Sequence, residues 1–288
     1  MTTVLITGAG GFIARHLAQT LADAGVRVLG ISHSDTAAPA YIRVFRASLG
    51  ETLLPALASE PVDAVVHTAL ADGAEAFGVN VAGTTRWMDE ARAAGVGLQI
   101  FLSTLSAEPN ALSDYGRAKW TLQQRFVDAG EVVFRLGVVI GDGGMYARIR
   151  SSATRAPVVP MLDGGRQLLY VAGIDAVCAV LSDAILAGGE GLRGSAWNLV
   201  QPEPVTLRTM VEAINRQRER RVLLVPVPAK PVLAALRVAE SVPLLHLPVS
   251  STNVRGLIQQ GQRRFPSDFA RFGYPVQPIS ELIATGES

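Results

Sequence analysis

Cysteine occurs once in the 288 residues, at Cys178. One thiol excludes an intramolecular disulfide framework, and four histidines with a single cysteine form no metal-type Cys/His cluster. Cys178 falls in the apolar stretch DAVCAVLSDAIL, where a small buried thiol is an ordinary packing residue. An excess of charge of either sign is also lacking. Lys and Arg total 26 against 25 for Asp and Glu, so a net charge of +1 gives no general drive toward nucleic acid or anionic lipid, and any anion must be met locally. No apolar run reaches membrane length, because the most apolar late stretch, RVLLVPVPAKPVLAALRVAESVPLLHLP (221–248), is broken by Pro, Lys, Arg and Glu. The opening MTTVLITGAGG has no basic leader and reads as a first strand, so the expectation is a cytoplasmic protein with no membrane segment. There is no internal repeat or low-complexity tract.

What is present is an alternation. Short β-branched runs (TVLITG, VRVLGIS, IRVFRA, VDAVVHTA, LQIFLST, EVVFRLGVVIG) alternate with amphipathic runs, among them FIARHLAQTLADAG, LLPALASE and helices near 75–94 and 113–129. Strands apolar on both faces, such as DAVVHTA, suit a buried parallel sheet. The expected fold is α/β, a Rossmann-type doubly wound parallel sheet with a smaller carboxyl-terminal lobe. The rhythm changes after Gly141, giving a Rossmann-type domain over 1–141 and a smaller lobe over 142–288. Segments near 166–200, QLLYVAG and AWNLV, are candidates to return to the first domain.

The turn ITGAGGFIARHL follows the first strand and opens a helix at Phe12 and Ile13. Gly8, Gly10 and Gly11 permit a tight turn and close approach of backbone N–H groups to a pyrophosphate at the positive helix end. Ala14 is small enough for that helix to pack near the sheet. An acidic residue gripping the adenosine ribose is expected about 20 residues on, and Ser32 and His33 stand there instead. With no carboxylate to repel a ribose phosphate, and Arg15 and His33 able to face one, the NAD(P) site leans to NADP. In SDYGRAKW, Tyr115 and Lys119 sit one helical turn apart. The pair reads either as an exposed ring with a lysine passing it, or as an acid–base pair in which the cation lowers the tyrosine pKa.

These motifs, in this order, resemble the extended branch of the short-chain dehydrogenase/reductase family, which includes nucleotide-sugar epimerases and dehydratases. TGAGGFIA resembles the family's cofactor turn, HTA (67–69, ending in Ala69) the segment after the fourth strand, and NVAGT (80–84) the fourth-helix signature. YGRAK (115–119) resembles Tyr-x-x-x-Lys, and RLGVVIG (135–141) the arginine-led sixth strand. The resemblance implies that Tyr115 is the general acid or base and that Lys119 binds the nicotinamide ribose and depresses the tyrosine pKa. It further implies that Thr104 hydrogen-bonds the reacting oxygen, with Ser103 and Ser106 close by, and that Asn80 holds the adjacent loop. His67 reads as a packed, hydrogen-bonded residue. The family pairs through two helices, so a homodimer through 78–94 and 113–129 is expected, with Trp87, Trp120 and Phe126 as candidate interface residues.

The chain departs from the family at informative places. Leu105 and Ser106 replace the Asp–Glu pair of dehydratases, Val138 the substrate-contacting Asn of many nucleotide-sugar members, and SLG (48–50) an adenine-side Asp-Leu. Arg148, Arg150, Arg155 and Arg166 are candidates for a phosphate cluster. Three readings stand. The first is an NAD(P)-dependent epimerase-type enzyme on a sugar or sugar-nucleotide small molecule. The second is an NADPH-dependent reductase of a small carbonyl compound, and the third a non-catalytic dinucleotide sensor or assembly subunit.

Overall fold

Each strand of the amino-terminal half is buried on both faces, and that is what a run such as Val4, Leu5, Ile6 or Val65, Val66 dictates. The computed structural model describes residues 1–34, 40–73, 75–228, 231 and 263–285, so most of the apolar stretch 221–248 lies outside the described residues. Two units are distinguished: 1–110, 114–136 and 174–199 form the first, and 111–113, 137–173 and the chain from Val200 the second.

In the first unit the order is β1 (Thr3–Thr7), α1 (Phe12–Asp23), β2 (Arg27–Ser32), β3 (Arg43–Arg46), α2 (Leu54–Leu57), β4 (Ala64–His67) and α3 (Ala76–Ala93). It continues with β5 (Leu98–Thr104), α4 (Asp114–Asp128) and β6 (Val132–Leu136). The chain then leaves for the second unit as β7 (Val138–Ile140), α5 (Gly144–Arg155), β8 (Val158–Leu162), β9 (Leu168–Leu169) and β10 (Val171–Gly173). It comes back as α6 (Ile174–Leu186) and β11 (Ser195–Leu199), and ends in the second unit with β12 (Val205–Thr206), α7 (Leu207–Gln217), β13 (Leu223–Val227) and α8 (Ile279–Thr285).

The seven-stranded sheet of the first unit has the order β11-β6-β5-β4-β1-β2-β3, every pair parallel. Strand order reverses between β1 and β4, the place where ligands of such sheets collect. Trp87, expected at an interface, is 1 % exposed and packs with Leu5, Leu29 and Val65 while its indole N–H donates to Glu51 O at 2.7 Å. Phe126, likewise expected there, is fully buried with Phe101 and Leu122, so neither ring is left over for a partner; Trp120 is half-buried. Cys178 is buried as expected, its thiol pushed up to about 12 by burial, with Asp175 adding to the shift.

Gly83, inside the NVAGT signature, lets α3 close on the chain between β3 and α2, since a Cβ there would lie 2.8 Å from Gly50 N. The run EVVFRLGVVIG, expected as one strand to Gly141, is two, β6 and β7, in different sheets. The reason is Gly137. Its Cα lies so close to the Tyr170 carbonyl that a Cβ would collide with it, and that carbonyl accepts the Val138 N–H at 2.8 Å. Ser195–Leu199 extends the large sheet, whereas Leu168–Gly173 pairs with β12 and β7.

In the second unit Tyr146, Met210, Ile214 and Leu282 form the core, and Thr206 caps α7 by accepting the Thr209 N–H at 3.0 Å. No helix among the described residues is long and apolar enough to cross a membrane. Gly137→Ala should cost about 2–3 kcal/mol through overpacking against Tyr170, read as a lower denaturant midpoint; an unchanged midpoint would contradict the close approach.

Candidate active site

At the reversal point the ends of β1 and β4 are cross-linked by side chains. Thr7 Oγ1 accepts the N–H groups of Thr68 (3.1 Å) and Ala69 (3.3 Å), and Thr68 Oγ1 donates to Thr7 O at 2.5 Å. Gly8 follows at φ +71°, where a Cβ would lie 2.9 Å from Ala69 Cα, so both conformation and space demand glycine. Gly11 N donates to Gly8 O at 2.8 Å and heads α1, which has no side-chain cap and no acid in its first turn. The leading N–H groups, at Phe12, Ile13 and Ala14, are therefore left for an anion. Ala14 is buried against the sheet, and Gly10 is exposed at the tip of the turn.

Tyr41, which sequence reasoning missed, braces this turn from behind. Its hydroxyl donates to Ala9 O (3.2 Å) and Ala14 O (3.0 Å), and burial raises its pKa, with Arg15 opposing. An isolated tyrosine just before β3 was the one available signal. Ser32 is buried at the end of β2, while His33 and Arg15 are exposed. The turn, the bare helix end and the close packing at Ala69 fit a dinucleotide.

Past β5 the reactive side chains gather. Thr104 ends β5, and the Tyr115 phenol, from the first turn of α4, hydrogen-bonds with its side chain. Thr104 Oγ1 also accepts from Ser106 N at 3.3 Å and lies 3.2 Å from Ser106 Oγ. Ser103 is turned inward, donating to Gln123 Oε1 at 2.9 Å, so Thr104 is the strand-end hydroxyl that meets the phenol. Arg135, the arginine of β6, steadies the loop beyond Thr104 by donating to Leu105 O (3.4 Å) and Ala107 O (3.3 Å). Asn80 pins the loop after β4: Oδ1 accepts Ala71 N at 2.9 Å and Nδ2 donates to Ala71 O at 2.8 Å and Ala76 O at 2.6 Å.

Lys119 is 6 % exposed; its Nζ donates to Leu102 O at 2.7 Å and lies 4.6 Å from the centre of the Phe101 ring. Burial pushes it down to about 8. The expected lowering of the Tyr115 pKa by Lys119 is not found. Although 42 % of the residue is exposed, desolvation raises the pKa, with the Thr104 hydrogen bond opposing and the Asp72 charge adding. The ammonium is instead spent on a carbonyl and a ring face. His67 is packed: Nε2 hydrogen-bonds to Gln99 Oε1 at 2.9 Å, the ring meets Phe126 edge-on, and burial holds it down to about 4, so it is neutral at working pH. Gln99 in turn donates to Met88 O at 3.0 Å.

The four candidate arginines of the second unit are tied to their own elements or to solvent. Arg150 lies 5.8 Å from the Tyr146 ring, Arg155 donates to Ser151 Oγ at 3.4 Å, Arg166 donates to Asp163 O at 3.0 Å, and Arg148 is exposed. Among the described residues no group of three His, Cys, Asp or Glu could hold a metal ion.

A glycine seat at the reversal of a parallel sheet, with Thr104, Tyr115 and Lys119 beyond the next strands, is an arrangement suited to a bound dinucleotide. Residues 4–131 match the model of the NAD dependent epimerase/dehydratase family. A ceramide reductase of Caulobacter vibrioides is 28 % identical over 190 residues, covering 62 % of this chain and 60 % of the relative. This chain thus matches less than two-thirds of that protein's length. Two UDP-glucose 4-epimerase structures share the fold. That of Thermotoga maritima, with UDP-glucose, has a TM-score of 0.68 at 18 % identity over 79 % of this chain and 86 % of its own. That of Thermus thermophilus, with NAD, has a TM-score of 0.68 at 18 % identity over 91 % and 99 %.

The buried lysine has a thermodynamic signature. Its folded pKa of about 8 lies below the ordinary 10.5, so between these values the unfolded chain holds a proton that the folded chain has released. Stability then rises with pH, by about 3 kcal/mol across the window. Lys119→Met should abolish that rise, seen as Tm curves that differ in slope between pH 8 and 10.5. Parallel curves would show that the ammonium is not desolvated.

Proposed function

We propose that the protein is an NADPH-dependent reductase that delivers hydride to a carbonyl carbon while Tyr115 protonates the oxygen. The observation that carries this reading is the Tyr115–Thr104 hydrogen bond at the strand ends beside the dinucleotide seat. A phenol held in its neutral form at neutral pH is a proton donor, matched to an oxygen that gains negative charge as its carbon is reduced. The dinucleotide supplies the hydride. Thr104 orients the reacting oxygen toward the phenol, Tyr115 gives up its proton as the alkoxide forms, and solvent restores it. Lys119, already desolvated on the Leu102 carbonyl, supplies the charge for the nicotinamide ribose. Arg15 and His33 face the adenosine phosphate, with no carboxylate to oppose it. The ceramide reductase relative supports reduction, as do Leu105, Ser106 and Val138, where sugar-nucleotide enzymes of this family place other side chains.

The second reading is epimerisation of a sugar nucleotide, favoured by the epimerase/dehydratase match over residues 4–131 and by a structural neighbour that holds UDP-glucose. It requires the dinucleotide to stay bound through both half-reactions. Tyr115→Phe should lower carbonyl reduction by about 10²–10⁴-fold with NADPH affinity unchanged; full activity in that variant would remove the mechanism. Native mass spectrometry of the purified protein separates the readings, an empty chain favouring reduction and a retained dinucleotide favouring epimerisation.

We also infer a homodimer through the outer faces of α3 and α4, where Phe77 and Val79 are exposed beside Gly78 and Ala82. The Trp87 and Phe126 rings do not contribute. Sedimentation at micromolar concentration should give twice the 30.4 kDa chain mass; a monomer would refute the pairing.

A further inference from the structure

The near-neutral charge of the whole chain hides a local concentration. The turn after α7 reads RQRERR, with Arg216, Arg218, Arg220 and Arg221 all exposed and only Glu219 of opposite sign among them. The turn is held in place: Glu219 adopts φ +52°, its N–H donates to Arg216 O at 3.1 Å, and Arg220 N donates to Asn215 O at 2.9 Å. Arg216 lies in the last helical turn, where a cation offsets the helix dipole. The other three lie beyond it, where the dipole asks for none.

This basic turn leads directly into β13, which pairs in parallel with β8, setting Leu223 beside Val158 and Val225 beside Pro160. One face of the ribbon, Val159, Met161 and Leu224, packs on Ala153 and Val211. On the other, Val158 is 48 % exposed, Leu223 63 % and Val225 36 %, with Pro160 exposed between them. Alternation along a half-buried strand normally puts polar residues outward. Here both faces are apolar, and the outer one is rimmed by guanidinium groups.

We propose that this face of the β8/β13 ribbon, with its arginine rim, docks on the surface of an anionic phospholipid bilayer. The arginines meet lipid phosphates while Leu223, Val225 and Val158 enter the headgroup boundary, the pairing of charge and shallow apolar burial that peripheral attachment needs. A second copy of the chain is disfavoured as occupant because four arginines would meet four. The docking is independent of which substrate the first unit reduces.

The test is co-sedimentation of the full-length protein with vesicles of phosphatidylcholine alone or mixed with phosphatidylglycerol. Binding should require the anionic lipid and weaken as salt rises. Each arginine changed to serine should weaken partitioning by roughly five-fold, and Leu223→Ser with Val225→Ser should weaken it further. NADPH binding should be unchanged in the arginine variants, which shows that they are folded even if the strand variants are not. No binding to either vesicle, equal binding to both, or full binding by the arginine variants would each overturn the proposal. A protein partner as the true occupant would appear as the first of these.

Discussion

The site depends on one backbone contact, the approach of Gly8 to Ala69 at the ends of two adjacent parallel strands. Thr7 and Thr68 lock those ends together through three hydrogen bonds, and the absence of a side chain at position 8 lets the turn settle against them. Everything downstream takes its place from this lock. The helix end that faces an anion, the loop pinned by Asn80 and the strand carrying Thr104 are all fixed relative to β4. In the proposed reaction a shift of the turn would move the dinucleotide without moving Tyr115, and hydride transfer tolerates little misplacement.

Around that frame two groups are held in unfavourable surroundings. Lys119 is kept desolvated by the Phe101 ring and one carbonyl, and Tyr115 is kept protonated by burial and a nearby carboxylate. Strain of this kind belongs to sites that act on charge as it develops. The neutral His67, stacked through Phe126 onto Phe101, extends a dry aromatic layer beneath the lysine. That layer sets apolar surface against the ammonium, in keeping with the burial that lowers its pKa.

Local features of the fold were legible in the sequence. The strand–turn–helix at Gly8, the alternation of β-branched and amphipathic runs, and the one-turn spacing of Tyr115 and Lys119 are short-range patterns, and β1, α1 and α4 formed where their patterns lay. What escaped were contacts made across the sheet. Nothing in the spacing of Tyr41 says that it braces residues 9 and 14, and nothing near Gly137 says that the Tyr170 carbonyl will press against it and break one apolar run into two strands. The acceptor of Lys119 escaped in the same way. Sequence spacing gave its distance from Tyr115 along the helix, while its actual acceptor, Leu102, comes from another element. Trp87 and Phe126 read as surplus on their helices because the depth of the core above the sheet is not written in either helix alone.

The interrupted path of the first unit has a consequence for its synthesis. β6 gains its outer neighbour only when Ser195–Leu199 arrives, after the whole stretch from Gly137 to Gly173 has gone elsewhere. A nascent chain that has emerged only as far as β10 carries a nearly complete nucleotide sheet with an open, apolar margin, the feature that invites strand-to-strand aggregation. The returning segment therefore acts as a closing seam, and the vulnerable interval in the life of this protein is the time the ribosome takes to deliver it.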